Sequence, residues 1–184
     1  EFLADLKLVL DSEKDFAQDD LSPFYLIDKK HNIGPTYAPK HLKTLVKNSL
    51  YDISRADLSL REDVEAALCV MAQAALKDGI RLEVISSYRS YEYQKKLFAK
   101  WVALDGLAEA ERESAREGTS QHQLGSAIDF GSLSDSFVKT PMGAWLNKYA
   151  WEYGWSLSFP QGYEDVTGFR WECWHFRYIG KEAC

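Results

Sequence analysis

Two short segments hold two of the chain's four histidines, each beside a carboxylate. The first is Ser120-Gln-His122-Gln-Leu-Gly125-Ser-Ala127-Ile-Asp129; the second, near the C-terminus, is Glu172-Cys-Trp174-His175. His122, Asp129 and His175 offer two imidazoles and one carboxylate, a ligand set that suits a zinc ion with its fourth position open. Water bound at an open position becomes acidic enough to attack a carbonyl near neutral pH. Glu172 is left over as a carboxylate outside the ligand set, available as general base. That is the makeup of a zinc peptidase built without the helical His-Glu-x-x-His pattern.

Each of these residues has a plainer reading on its own. A lone histidine is most often an ordinary surface or core residue. An Asp ending an apolar strand often caps a turn, and Glu172 alone would be a salt-bridged surface carboxylate. Clustering of ligand types is what favours chemistry. The seven-residue step from His122 to Asp129 is too long for a helical i, i+4 pair and fits a loop ligand and a strand ligand converging on one point. Within Ala127-Ile-Asp129-Phe130 the carboxylate needs a partner, and a metal ion is the simplest.

The elements that must position these groups follow from pattern. A capping box of Ser59 and Glu62, apolar residues at Leu60, Val64, Leu68, Met71 and Ala75, and a stop at Gly79 predict a helix. Residues 82–86 read as a strand, and Ser90 as the cap of a helix running through Gln94 and Leu97 toward Trp101. Residues 105–118 are charged without apolar rhythm, a solvated helix or surface loop just before the first histidine segment. A strand over 126–130, a helix opened by Thr140-Pro141 and stopped at Gly154, and short strands over 156–159 and 174–179 complete the chain. In the last strand Trp174, Phe176 and Tyr178 share an apolar face, with His175 and Arg177 opposite. For Glu172 to join His175 the chain must bend between Glu172 and Trp174. Trp174 itself reads as core packing. Helices preceding and interleaving a small, mostly antiparallel sheet, with flanking helices and one zinc site on the sheet, make an α+β fold.

At 184 residues the chain suits one domain with a sizeable core. We expect an N-terminal extension over residues 1–23, helical over 2–10 or mobile, before the domain at 24–184. The opening residue, Glu1 rather than Met, points to a processed form lacking its targeting segment. Net charge of −6 argues against nucleic acid as a partner. No stretch approaches the roughly 20 apolar residues of a membrane span. Cys69, Cys173 and Cys184 form no disulfide framework and no zinc knuckle. His31 and His41, without carboxylates at useful spacing, read as surface or structural residues.

The pattern Ser-x-His-x-x-Gly-x-Ala-x-Asp followed by Glu-x-Trp-His resembles the D-alanyl-D-alanine carboxypeptidases of the VanY type. These belong to a wider group of peptidoglycan metallopeptidases that includes lysostaphin-like enzymes and the zinc domain of hedgehog proteins. The segment Leu26-Ile-Asp-Lys29-Lys30-His31 with Tyr37-Ala-Pro39, the run Ser86-Ser87-Tyr88-Arg89-Ser90 with Gln94, and the closing Trp174-His175-Phe176-Arg177-Tyr178-Ile-Gly180 extend the likeness over residues 24–180. Cys173 departs from it, standing where relatives commonly have proline.

The resemblance implies that Arg89, Gln94 and Ser120 bind substrate, with Arg89 and Ser120 near the peptide's C-terminal carboxylate. An arginine fork suits bidentate capture of such a group. It further implies a Zn2+ cofactor, His122, Asp129 and His175 as ligands, and Glu172 as general base. The implied reaction is removal of the terminal D-Ala from peptidoglycan stem peptides by a D,D-carboxypeptidase in the periplasm or outside the cell. An L,D-carboxypeptidase acting on tetrapeptide stems, a D-Ala-D-Ala dipeptidase, and a zinc-containing binding module for peptidoglycan without turnover are the alternatives.

Overall fold

The structure, a computed structural model, describes residues 25–184; the helix expected over 2–10 and the extension over 1–23 lie outside the described residues. Five strands form one sheet in the order β2-β4-β5-β7-β6. They are β2 (Tyr51–Ile53), β4 (Leu82–Ser86), β5 (Ala127–Phe130), β7 (His175–Tyr178) and β6 (Trp155–Leu157). The β2–β4 pair is parallel and the other three pairs are antiparallel, as the sequence predicts for an α+β fold. A separate antiparallel ribbon joins β1 (Leu42–Thr44) to β3 (Ser59–Arg61).

Helix α1 (Glu62–Lys77) buries Val64, Leu68, Met71, Ala72 and Ala75 in the same cluster as Phe130, Trp155 and Phe176 of the sheet. The i, i+4, i+7 spacing of those residues makes one apolar stripe, and the sheet is what it covers. Phe130 sits edge-on to both Trp155 and Phe176, with ring centroids 6.3 and 6.0 Å away. Ile128 and Phe176 are cross-strand partners in this core. Gly79 stops the helix with φ near 76°, as expected.

The start of α1 differs from expectation. Ser59 is not a cap: as part of β3 it pairs with Thr44 of β1, and Arg61 holds the cap position without a side-chain bond to the helix backbone. The His41 carbonyl accepts from Glu62 N at 2.9 Å instead. A strand running straight into a helix leaves Ser59 two residues too early, which a serine–glutamate spacing cannot reveal. Ser90 does cap α2 (Tyr91–Asp105), its hydroxyl accepting from Tyr93 N at 3.2 Å.

The charged stretch contains α3 (Leu107–Glu113), whose Arg112 grips Glu164 of α5 (Glu164–Thr167) with two bonds of 2.5 and 2.9 Å. Helix α4 (Pro141–Tyr149) begins at Thr140-Pro141 as read, but tightens to a 3-10 turn over Ala150–Tyr153 before Gly154. Urea unfolding should separate the two serines. Ser90→Ala loses about 1 kcal/mol of stability, whereas Ser59→Ala, capping nothing, stays within about 0.5 kcal/mol.

Candidate active site

The central strand β5 carries Asp129, and its register decides the site. Across one edge Asp129 pairs with His175 of β7. Across the other it pairs with Ser86 of β4, where one extra β4 residue between Val84 and Ser86 makes a bulge. Bulges of this kind re-aim side chains beside functional sites. His122 enters from a 3-10 turn, Gln121–Leu124, whose first backbone N–H groups Ser120 caps by accepting from His122 N at 3.3 Å. Gly125 ends that turn with φ near 68°, and a Cβ there would meet Pro39, Arg61 and Leu42 at 3.1–3.3 Å.

His122, Asp129 and His175 are 2, 2 and 4% exposed. Their donor atoms all lie within 4.8 Å of one another, and among the described residues they are the one such cluster able to hold a metal ion. Ligands shared by one tetrahedral zinc stand about 3.5 Å apart, so a small inward adjustment suffices. The Ser87 carbonyl lies 2.7 Å from His122 Nδ1. A carbonyl only accepts, so that nitrogen carries the proton and Nε2 keeps the lone pair, 3.3 Å from Asp129 Oδ2. His175 Nδ1 faces Asp129 Oδ1 at 3.0 Å, and its Nε2 faces Gln121 Oε1 at 3.0 Å. Two imidazoles and a carboxylate, bound at the back and open at the front, fit Zn2+.

The chain turns at Cys173-Trp174 before β7 begins, and His175 N donates to the Glu172 carbonyl at 3.2 Å. That turn brings Glu172 Oε2 to 3.6 Å from His175 Nδ1, on the same side as the cluster. The bend that the alternation demanded is present without proline. Cys173 is buried in it, its Sγ near the Ser134 and Asp135 carbonyls. Trp174 packs in the core and also borders the cleft.

Arg89 follows the bulged strand. Its Nε and Nη2 donate to Ser86 Oγ at 3.1 and 2.8 Å, and Nη2 reaches Asp129 Oδ2 at 2.7 Å. Gln94 lies behind it rather than on the cleft wall: it is 1% exposed, accepts from Arg89 Nη1 at 3.4 Å and donates to the Ala115 carbonyl at 2.8 Å. His31, expected to lack a carboxylate companion, has one in Asp28 at 2.8 Å from its Nδ1.

The triad, Glu172, Arg89 and Ser120 open onto a cleft of about 520 Å³. Glu113, Ser114 and Ala115 from the charged stretch form part of its wall, and Tyr93, Leu97 and Trp101 of α2 another. Arg170 joins that rim, bonded to Glu113 at 2.6 Å and Asp135 at 2.8 Å.

Burial works on each ionisable group differently. It raises the Asp129 carboxyl, but His122, His175 and Arg89 outweigh it and hold Asp129 well below the usual carboxylate range. Burial and the adjacent Arg89 charge push His122 down to about 4, so it is a neutral, metal-ready imidazole at pH 7. Burial and the Asp129 charge raise Glu172 well above the usual range, against the pull of Arg89 and Arg170. One carboxylate is thus fixed as an anion and the other is disfavoured as one.

A sequence model of the VanY family, D-alanyl-D-alanine carboxypeptidase, matches residues 57–181. The chain belongs to the VanY family. It is 34% identical to the putative carboxypeptidase YodJ of Bacillus subtilis over 164 residues, covering 86% of the chain and 60% of that relative. The chain therefore spans 60% of that relative's length. Among solved structures it resembles the LdcB LD-carboxypeptidase, with a TM-score of 0.78, 33% identity, and 88% and 78% of the two chains covered. It also resembles a mutant of the vancomycin-resistance D,D-pentapeptidase VanY, from a VanB-type resistance cassette, solved in complex with Zn(II). There the TM-score is 0.72, identity 28% and coverage 86% and 89%. The Zn(II) in that family member and the buried donor set here agree on the ion.

Zinc added to chelator-treated protein should raise the thermal midpoint, by the equivalent of about 2.7 kcal/mol at a hundredfold excess over Kd. His122→Ala, Asp129→Ala and His175→Ala should each remove that shift.

Proposed function

We propose that this chain is a zinc-dependent D,D-carboxypeptidase that removes the terminal D-Ala from peptidoglycan stem peptides, acting in the cell envelope or outside the cell. The observation that carries the reading is Glu172 Oε2 standing 3.6 Å from His175 Nδ1 beside the buried triad, in a cleft open to solvent. No helix among the described residues is long and apolar enough to cross a membrane.

His122 Nε2, His175 Nδ1 and an Asp129 carboxylate oxygen hold the ion in this reading. Bound there, zinc supplies Lewis acidity and an acidified water. Glu172 takes the proton of the attacking water and returns it to the departing amine, so one water is consumed and one D-Ala leaves with a free amino group. Its raised carboxyl suits the acceptor half of that cycle. Arg89 and Ser120 receive the C-terminal carboxylate, which puts the last peptide bond in reach rather than an internal one. Gln94 acts through Arg89, holding the guanidinium at the cleft floor.

A second reading, L,D-carboxypeptidase on tetrapeptide stems, is supported by the likeness to LdcB, with its TM-score of 0.78. Mass spectrometry of pentapeptide and tetrapeptide stems after incubation with zinc-loaded protein decides between them. Chelator-sensitive loss of one alanine from the pentapeptide is the expected result; loss from the tetrapeptide alone favours the L,D reading. An unchanged pair with zinc bound would overturn both.

Glu172→Ala should keep zinc and lower kcat about 10²–10⁴-fold. Because Glu172 must be ionised to accept a proton, activity should fall as pH drops through its raised carboxyl. That acid limb should vanish in the variant.

A further inference from the structure

His175 can serve as a ligand only if the nitrogen facing the cluster carries a lone pair, and a neutral imidazole has one lone pair to place. Its partner His122 has the question settled by the Ser87 backbone carbonyl. For His175 a side chain does the same work. Gln121 Oε1 lies 3.0 Å from His175 Nε2, and Ser158 Oγ donates to that same oxygen at 2.7 Å. That donated bond fixes the amide with its carbonyl oxygen toward the imidazole. With zinc held at Nδ1 beside Asp129, Nε2 carries the proton and donates it to Gln121 Oε1.

The fold builds this arrangement from three places. Gln121 opens the 3-10 turn that also carries His122. Ser158 follows edge strand β6, whose pairing of Leu157 with Phe176 sets it beside His175. Ser158 N donates to the His175 carbonyl at 3.3 Å, and the Phe159 ring lies 4.8 Å from the imidazole, so the ring is held on its face as well as its edge.

We infer that Gln121, supported by Ser158, is a positioning residue that locks His175 in the Nε2–H tautomer with Nδ1 aimed at the metal cluster. Groups in this outer position orient a ligating imidazole and raise its basicity, and their loss typically weakens metal binding by one to two orders of magnitude. The inference rests on the reading that His122, Asp129 and His175 hold zinc.

The test pairs zinc affinity, by competition with a chromophoric chelator, with the His175 tautomer, by nitrogen-detected NMR of the zinc-loaded protein. The native chain should show His175 protonated at Nε2. Gln121→Leu should bind zinc about 10–100-fold more weakly and lose the single tautomer. Gln121→Glu, which keeps an acceptor oxygen, should retain both. If Gln121→Leu fails to fold on a thermal melt, Ser158→Ala carries the test with a smaller change in the same direction. Leu and Ala variants that keep native affinity and tautomer, or a Glu variant as weak as Leu, would overturn the role of Gln121. A native chain that binds no zinc would overturn the ligand reading itself.

Discussion

Everything in the cleft is arranged around one buried anion. Asp129 is 2% exposed at the centre of the sheet, where an isolated carboxylate is among the most unfavourable groups a fold can bury. It is tolerated because three neighbouring elements each send it a partner. The bulged β4 delivers Arg89, the 3-10 turn delivers His122, and the first residue of β7 delivers His175. Burial first, and then the fixed Asp129 charge, disfavour the neighbouring Glu172 carboxyl as an anion and raise it. Two carboxylates in one cleft are thereby driven to opposite behaviour, one held as an anion and the other disfavoured as one.

The rigid parts of the molecule supply this geometry and the loops supply its surroundings. Asp129 and His175 sit on paired strands, so their spacing is set by backbone register and not by side-chain freedom. Behind them the Phe130, Trp155 and Phe176 rings and the α1 stripe fix the sheet. In front, α3 and the segment through Arg170 make the rim, tied together by the Arg112–Glu164 and Arg170–Glu113 pairs.

Much of this was legible in the sequence because it is local. The ligand triad, the general-base candidate and the bend at Glu172 all follow from residue type and strand alternation within two short segments. The Ser90 and Thr140 caps follow from turn chemistry. What was hidden depends on which elements meet. Ser59 looks like a cap until β3 is seen to pair with β1. Gln94 looks like a cleft residue until α2 is seen to turn it behind Arg89. The β4 bulge and the Gln121–Ser158 support for His175 arise only from tertiary pairing, and no local spacing encodes them.

The central claim is that one zinc ion closes around Asp129 through His122 Nε2 and His175 Nδ1. Anomalous diffraction at the zinc edge, on crystals of zinc-loaded protein, tests it most directly. The account predicts one strong peak whose nearest protein atoms are those two nitrogens and an Asp129 carboxylate oxygen, with Glu172 adjacent but unbonded. A peak elsewhere, or one bound through Glu172 in place of Asp129, would contradict it.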